Sequence, residues 1–353
     1  MQKERSPLSG DLDEILARTP GLWDALRGAR IFLTGGTGFF GIWLLESLLH
    51  ADQKLSLGAK VVILTRDEAA FRAKAPRLAA DRRLDFVHGD VRTFQFPPGG
   101  FTHVIHAATQ ASVRLNHEQP ELMRDVIVSG TRRTLEFAEQ CGAKKFLLAS
   151  SGAVYGRQRP DVPSLAENDP GYAAPLDPPS AYAEGKRAAE RLCAEAAGRG
   201  GLDVTCARAF AFVGPHLPLE THFAVGYFLR DALRGSPIEV SGDGTPLRSY
   251  LYASDLAVWL WTILLKGRPG RAYNVGSENA VSIADLAQLV AEAAAPAAEI
   301  RIAGKPEPGR PPERYIPNTD RARTELGLGQ TVDLEEALRR TVAWERARAA
   351  ASS

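Results

Sequence analysis

The sequence predicts an α/β protein with a doubly wound parallel sheet and a smaller C-terminal α+β lobe. Three observations predict this architecture. A glycine-rich turn joins an apolar strand to an apolar helix, strand-like runs alternate with helical stretches over residues 29–215, and the alternation loosens after residue 215. Strands that alternate with helices form parallel sheets, because each helix returns the chain to the edge where the next strand begins.

The glycine turn is the first candidate for a binding site. Residues 34–41 (TGGTGFFG) carry Gly35, Gly38 and Gly41 at three-residue intervals. Glycines at this spacing allow a sharp turn, a close approach of the backbone to a pyrophosphate and tight packing of the helix on the sheet. The helix N-terminus offers unpaired N–H groups to an anion. The turn therefore predicts a phosphate cradle, and an ordinary strand-to-helix turn is the alternative that this motif alone leaves open.

Apolar runs separated by helical stretches predict the other strands of the sheet. Residues 160–179 are rich in proline and acidic residues and lie between a strand end and a helix. They show neither the alternation of apolar residues typical of a strand nor the helical spacing of apolar residues. This stretch predicts an active-site loop, with a plain connector as the alternative. The predicted strands are 29–33, 60–64, 84–87, 102–105, 145–148 and 202–207.

Three regions are expected along the chain. Residues 1–28 form an N-terminal extension that we expect to pack beside the first strand, 29–215 form a dinucleotide-binding domain, and 216–353 form a substrate-binding lobe partly interleaved with it. The predicted elements of the lobe are helices 224–233, 253–265, 282–294 and 333–346, strands 238–240 and 273–275, and a proline-glycine break at 306–312.

The composition favours a small-molecule partner. The 353 residues carry 43 basic and 42 acidic side chains, for a formal net charge of +1, so nothing in this balance points to nucleic acid or to an anionic membrane. Three cysteines lack metal-ligand spacing, which predicts free thiols in a reducing compartment and no metal site. The longest apolar run, 256–265, is too short to span a bilayer, and we expect a cytoplasmic protein.

Three side chains predict proton and hydride chemistry. Tyr182 and Lys186 lie four residues apart in a helical segment, so both project from one face, where an ammonium lowers the pKa of a nearby phenol. Ser151 follows the predicted strand 145–148, at the sheet edge where open α/β sheets bind ligands. A serine at that edge can hydrogen-bond a substrate hydroxyl or carbonyl.

With these motifs in this order, the chain resembles the extended short-chain dehydrogenase/reductase family, in the branch of nucleotide-sugar epimerases, dehydratases, decarboxylases and 4-keto-sugar reductases. The resemblance covers about residues 29–345 and implies a Rossmann-type sheet. Besides the glycine turn and the Tyr182/Lys186 pair, it rests on the segments HGDV (88–91), HAA (106–108), SSGAVYG (150–156), RAFAFVGP (208–215), GDGTPLRSY (242–250) and YNVG (273–276).

The resemblance implies a role for each matching residue. Tyr182 is the acid/base for the sugar oxygen, Lys186 holds the nicotinamide ribose and lowers the tyrosine's pKa, and Ser151 binds the reacting oxygen. Asp90 and Val91 flank the adenine. The implied cofactor-binding residues are Gly35, Thr37, Gly38, Phe39, Phe40, Gly41, Arg66, Asp90, Val91, Ala107, Ala108, Thr109, Tyr182 and Lys186, and the implied substrate-binding residues are Ser151, Arg248 at the diphosphate, and Arg310 or Arg314.

Five positions depart from the family pattern. Many NAD-preferring relatives have an acid where Arg66 stands, and an arginine there favours the 2′-phosphate of NADP(H), with NAD(H) as the alternative. Gly152 and Ala153 replace the carboxylates of the dehydratases and decarboxylases, so elimination and decarboxylation are disfavoured. Ile127 and Ala211 each replace an asparagine, which indicates a different substrate.

The leading hypothesis is NAD(P)-dependent hydride transfer at a sugar carbon, C4 above all, of a nucleoside-diphosphate sugar, by a 4-keto-sugar reductase. One alternative is a nucleotide-sugar 4-epimerase with retained NAD, and another is a non-catalytic member of the family that senses cofactor. The resemblance also implies a homodimer that pairs through helical stretches 117–140 and 181–198.

Overall fold

The computed structural model describes residues 8–109, 116, 118–171, 180–221 and 223–352. The strands, numbered in chain order, are β1 (Arg30–Thr34), β2 (Lys60–Thr65), β3 (Leu84–His88), β4 (His103–His106), β5 (Lys145–Ser151), β6 (Asp203–Ala209), β7 (Phe212–Val213), β8 (Ile238–Val240), β9 (Leu247–Arg248), β10 (Leu251–Tyr252), β11 (Ala272–Val275), β12 (Val281–Ser282), β13 (Ile300–Ile302) and β14 (Arg314–Tyr315).

Helices cover the sheet and build the smaller lobe. Two short 3₁₀ helices, Trp23–Leu26 and Gly152–Tyr155, accompany the α-helices. The α-helices are α1 (Ser9–Arg18), α2 (Phe39–Leu55), α3 (Glu68–Lys74), α4 (Pro76–Ala79), α5 (Pro120–Gln140), α6 (Ala181–Arg199), α7 (Ala224–Leu233), α8 (Ala253–Lys266), α9 (Ile283–Ala294), α10 (Asp320–Leu326) and α11 (Leu334–Ser352).

Seven strands form one parallel sheet in the order β3-β2-β1-β4-β5-β6-β11, which confirms the predicted doubly wound α/β fold. The order reverses between β1 and β4, where the chain leaves one half of the sheet and starts the other. At such a reversal the loops after the two strands turn to opposite sides and open a crevice. The glycine turn after β1 and the segment after β4 therefore flank the same crevice.

The chain interleaves its two parts at the far edge of the sheet. β11, which lies in the range 216–353, pairs with β6 so that Asn274 is opposite Arg208. The buried side chains of α8 join the core of the large sheet, whereas α7, α9 and α11 share a second core with the short strands β8 and β10. The proline-glycine stretch 306–312 carries no regular element, as predicted.

The N-terminal extension packs differently from our expectation. α1 lies against α2 and α8 rather than beside β1, and Arg18 forms an ion pair of 2.6 Å with the buried Asp255 of α8. The reason is that β1 is a central strand whose two edges are already paired with β2 and β4. The apolar side of α1, which includes Leu12 and Ile15, is therefore buried against the helices that cover the sheet.

Among the described residues, no helix combines the length and apolar character that a membrane crossing requires. The three cysteines are free thiols, and Cys193 and Cys206 are buried.

Candidate active site

The glycine turn forms a cradle that requires glycine at two positions. Gly35 has φ +74°, and a Cβ there would lie 2.4 Å from the carbonyl oxygen of Ala107. A Cβ on Gly41 would lie 2.4 Å from the carbonyl oxygen of Gly35. Such contacts are closer than any side chain allows, so the turn keeps its shape only with glycine at both places.

The same turn presents free N–H groups to the crevice. Gly38 is the N-cap of α2 without a side-chain capping bond, and the first helical hydrogen bond runs from the N–H of Ile42 to the Gly38 carbonyl over 2.9 Å. The N–H groups of Phe39, Phe40 and Gly41 precede that bond, as the first N–H groups of any helix do. Thr37 lies in the turn, where its carbonyl accepts a hydrogen bond of 3.3 Å from Lys74.

Arg66 and Asp90 meet at the carboxyl edge of β2 and β3. Thr65 pairs with His88, so the residues that follow each strand are neighbours. Arg92 donates to Asp90 over 2.8 Å and holds the pKa of that carboxyl below its usual range, with a smaller contribution from the charge of Arg66. The Arg66 side chain is exposed. An anion placed between the two strand ends therefore meets the guanidinium of Arg66.

The segment after β4 forms a rigid wall of the crevice. Thr34, the last residue of β1, holds this segment through two hydrogen bonds. The Thr34 carbonyl accepts from the N–H of Ala107 over 3.1 Å, and the Thr34 hydroxyl accepts from the N–H of Ala108 over 3.2 Å. Buried His106 hydrogen-bonds the same hydroxyl over 2.7 Å, and burial lowers the pKa of His106 to about 3. The imidazole is therefore neutral and structural. Val91 packs on the other side of this region, against Gly130 of α5.

Ser151, Tyr182 and Lys186 come together at the carboxyl end of β5. Ser151 is the last residue of the strand, and its hydroxyl lies near the Tyr182 hydroxyl and accepts a hydrogen bond of 3.1 Å from the N–H of Ala153. The buried Lys186 ammonium donates to the carbonyl of Ala149 over 2.7 Å and to the hydroxyl of Thr109 over 3.0 Å. An ammonium has three N–H donors, so one of them stays available to a ligand after these two bonds.

The expected lowering of the Tyr182 pKa by Lys186 is wrong in this geometry. Burial raises the pKa of Tyr182, and the nearby Ser151 hydroxyl opposes that rise only in part. The Lys186 ammonium lies 5.7 Å from the centre of the Tyr182 ring and donates to Thr109 and Ala149 instead of to the phenol. Tyr182 is therefore a protonated phenol across neutral pH.

A buried ionic network positions this site from behind. Glu190, two turns after Tyr182 on α6, accepts from Arg208 of β6 over 2.7 Å and from the hydroxyl of Ser150 over 2.5 Å. Arg208 also donates to the hydroxyl of Tyr155 over 2.8 Å. Because Ser150 adjoins Ser151 in β5, the network connects the strand that carries the serine to the helix that carries the tyrosine.

The three predicted substrate arginines lie in different settings. Arg248 of β9 is opposite Tyr315 of β14 and exerts its charge on the Tyr315 phenol. Arg314 is opposite Leu247, and because side chains alternate along a strand, it points away from the face that carries Tyr315. Arg310 is exposed and pairs with Glu307 over 3.2 Å. The structure thus brings Arg248 toward the Ser151 site and leaves Arg310 on the surface.

Tyr315 is a member of the site that sequence reasoning missed. Its hydroxyl lies near Ser151, and a Cβ on Gly152 would lie 2.6 Å from that hydroxyl. A tyrosine in a two-residue strand outside every quoted motif carries no local signal.

The departure at Ile127 also has a structural counterpart, because this buried side chain packs against Gly185 of α6.

Part of the predicted active-site loop lies outside the described residues. Residues 160–171 contain no helix or strand longer than an isolated bridge, and residues 172–179 are not among those described. The same holds for residue 117 of the predicted pairing stretch and for residue 222. In the part of the chain that is described, no three His, Cys, Asp or Glu side chains are grouped so that they could hold a metal ion.

Comparison with known proteins identifies the family. The model of the NAD dependent epimerase/dehydratase family matches residues 31–276. The chain belongs to this family, and it is an enzyme of the extended short-chain dehydrogenase/reductase type.

Similar proteins have related nucleotide-sugar activities. UDP-glucuronic acid decarboxylase 1 from Arabidopsis thaliana is 29% identical over 314 residues, which are 89% of this chain and 69% of the relative. Among solved structures, the dTDP-glucose 4,6-dehydratase from Streptomyces venezuelae with NAD bound is 26% identical with a TM-score of 0.76, over 91% of this chain and 98% of that one. The UDP-glucose 4-epimerase from Thermotoga maritima shares the fold at 24% identity and a TM-score of 0.75, over 91% and 99%.

We expect Gly41→Ala to weaken binding of a nicotinamide dinucleotide by at least about tenfold, because the new methyl group displaces the Gly35 carbonyl and opens the cradle. Isothermal titration calorimetry with both cofactors measures the change. Gly198→Ala is the matched control, since a Cβ there meets no atom within 4 Å. Equal affinity in the Gly41→Ala protein would show that the cradle does not hold the pyrophosphate.

Cofactor binding is expected to weaken at alkaline pH. Burial lowers the pKa of Lys186 to about 8, so the ammonium that we expect to hold a ribose hydroxyl is present below that pH and lost above it. Affinity should fall about tenfold between about pH 7 and 9, measured by fluorescence titration with the reduced cofactor. The Lys186→Met protein should bind weakly with no such slope. A slope of the same size in that variant would assign the pH dependence to another group.

Proposed function

We propose that this chain is an NADP(H)-dependent oxidoreductase that reduces a 4-keto sugar carried on a nucleoside diphosphate. The observation that carries the proposal is the meeting of the Ser151 and Tyr182 hydroxyls beside the buried Lys186, with Gly152 and Ala153 where a second acid/base would stand. Such a site supplies one proton and binding for one oxygen. Reduction of a ketone requires no more than these and a hydride.

The residues present fit a nicotinamide dinucleotide. The turn keeps its shape only because neither Gly35 nor Gly41 carries a Cβ, and the N–H groups of the first turn of α2 that follow it are suited to a pyrophosphate. Lys186 would hold the nicotinamide ribose through its remaining N–H. Once bound, the reduced nicotinamide supplies the hydride for the carbonyl carbon.

The chain's own residues handle the substrate oxygen. Tyr182 keeps its proton at neutral pH, because burial raises its pKa, and it donates that proton to the oxygen as the carbonyl is reduced. Ser151 stands beside it as the second hydroxyl at that oxygen. Arg248 would bind the diphosphate, a task that suits the fixed donors of a guanidinium.

The names of the relatives support a nucleotide-sugar substrate, since they act on UDP-glucuronic acid and on dTDP-glucose. Decarboxylation and dehydration are not proposed for this chain. An elimination needs a base and an acid besides the tyrosine, and the two positions after Ser151 hold residues without a titratable group. The homodimer expected through α5 and α6, and the cytoplasmic location, stay predictions.

Arg66 supports the choice of NADP(H). It follows β2, where an acid would hold the hydroxyls of the adenosine ribose, and its exposed guanidinium lies beside the end of β3. A 2′-phosphate at this place would gain a charge-assisted contact, whereas NAD(H) would leave the guanidinium to water.

The test of the proposed function is turnover of UDP-, dTDP-, GDP- and CDP-linked 4-keto sugars with NADPH, followed by the absorbance of the reduced cofactor. We expect stoichiometric oxidation with one of them, and about 100-fold or greater loss of kcat in Tyr182→Phe. Tyr273→Phe is the control, because the Tyr273 hydroxyl donates to Glu325 at the far edge of the sheet. Interconversion of 4-epimers without net oxidation, or release of carbon dioxide from UDP-glucuronic acid, would replace the reductase by an epimerase or a decarboxylase.

A charge reversal at residue 66 is expected to change the preferred cofactor. Arg66→Asp should weaken NADPH binding by about 10- to 100-fold, because a charge-assisted bond becomes a repulsion, and should leave NADH binding equal or tighter. Calorimetric titration with both cofactors measures this, with Arg191→Asp on an exposed turn of α6 as the control. Tighter binding of NADH than of NADPH by the unmodified protein would refute the assignment.

A further inference from the structure

The side chain of Asn274 joins parts of the chain that are distant in sequence. Asn274 lies in β11, opposite Arg208, and is completely buried. Its amide nitrogen donates to the carbonyl of Leu165 over 2.7 Å and to the carbonyl of Asn318 over 2.9 Å. Its amide oxygen accepts from the hydroxyl of Tyr155 over 2.7 Å. One side chain therefore connects the edge strand of the sheet to the loop after β5, to the segment after β14 and to the second 3₁₀ helix.

The amide fits these partners in one orientation only. An asparagine side chain has two N–H donors and one oxygen that accepts. Backbone carbonyls only accept, so Leu165 and Asn318 use both donors, and the oxygen is left for the Tyr155 hydroxyl. An aspartate at residue 274 would have no proton for either carbonyl.

The two segments that the amide holds are also bonded to each other. The N–H of Leu165 donates to the carbonyl of Ile316 over 2.9 Å, and the N–H of Asn318 donates to the carbonyl of Leu165 over 2.8 Å. The side chain of Gln158 accepts from the N–H of Ile316 over 3.0 Å. Residues 158–167 and 313–318 therefore form one hydrogen-bonded unit, which we call the side wall.

Tyr315 brings the side wall to the reaction site. A Cβ on Gly152, the residue after Ser151, would lie 2.6 Å from the Tyr315 hydroxyl oxygen. The Tyr315 ring packs on Phe210 with 4.7 Å between ring centres. In the sheet, β6 and β11 lie on one side of β5, and β4 and β1 lie on the other. The side wall therefore borders the Ser151 site from the side opposite to the glycine turn.

The side wall is also attached to the buried ionic network of β6 and α6. Arg208, which pairs with Glu190, donates to the carbonyl of Glu167 over 3.1 Å and to the hydroxyl of Tyr155 over 2.8 Å. The buried carboxylate of Glu167 accepts from the backbone N–H of Asn274 over 2.8 Å. Asn274 and Arg208, which are opposite each other in β11 and β6, thus hold the side wall at neighbouring points.

We propose that Asn274 is a positioning residue for substrate binding, whose amide holds the side wall in place beside Ser151 before the substrate arrives. The proposal rests on the proposed function, in which the sugar oxygen lies at Ser151 and Tyr182. Asn274 acts through Leu165 and Asn318 and does not touch the reacting atoms. A preformed wall reduces the conformational entropy that is lost on binding, so a loosened wall raises KM.

Asn274→Asp tests the proposal, because it keeps the size of the side chain and the acceptor for Tyr155 but turns an oxygen toward two carbonyl oxygens. We expect KM for the nucleotide sugar to rise about tenfold or more, with kcat changed less than about threefold and cofactor affinity unchanged. Asn279→Asp, at an exposed position before β12, is the matched control and should leave all three values unchanged.

Hydrogen exchange without substrate separates this proposal from the proposed function. The N–H groups of Leu165, Ile316 and Asn318 report on the side wall, since each donates within it. In Asn274→Asp, mass spectrometry should show these segments exchanging about tenfold faster or more, while β1 to β5 keep their protection. Faster exchange confined to the side wall supports the proposal even if no 4-keto sugar is turned over.

Asn274→Ala is the second variant, because it removes both donors without placing a charge in the core, and the same pattern is expected. Unchanged exchange of the side wall in both variants would overturn the proposal. Equally faster exchange throughout the sheet would overturn it too, as would an unchanged KM for a substrate that is turned over, because each result leaves Asn274 a structural role alone.

Discussion

The ion pair between Arg208 and Glu190 is the contact on which the site depends. It joins β6 to α6 across the carboxyl end of β5, with side chains that are mostly buried. Removal of one partner of a buried pair leaves the other charge without compensation and typically costs about 3–5 kcal/mol. Ser150 and Tyr155 complete the hydrogen bonds of the pair, so the helix with Tyr182 and the strand with Ser151 are held by one network.

The chemistry of the site follows from the kind of polar group that surrounds the reacting position. Buried hydroxyls and one buried ammonium meet there, and the carboxylate of Glu190 is used by Arg208 and Ser150 behind the strand. Hydroxyls of high pKa hold and direct protons but do not abstract them from carbon. Under the proposed function, the site needs only one such proton and a hydride, although the similar proteins include enzymes named for decarboxylation and dehydration.

Much of the fold was predictable because its signals are local. The six predicted strands of the first domain appear within two residues of their predicted starts and ends, apart from the end of β5, which continues through Ser151. Two expectations were wrong for reasons that are not local. Lys186 does not lower the pKa of Tyr182, because burial outweighs a charge that is directed elsewhere, and α1 packs on helices because β1 has no free edge.

The sequence by itself determined the glycine turn, the positions of the strands along the chain and the placement of Ser151 and the Tyr182/Lys186 pair on neighbouring elements. Glycine spacing, strand periodicity and a four-residue helical interval each involve residues that are a few positions apart in the sequence. Parallel strands then bring their carboxyl ends to one edge of the sheet. Only the tertiary structure decided that the Tyr315 hydroxyl packs over Gly152, the residue after Ser151. That contact depends on how the short strands β9 and β14 pair and on where the lobe lies over the sheet, and no interval within the sequence encodes such a distance.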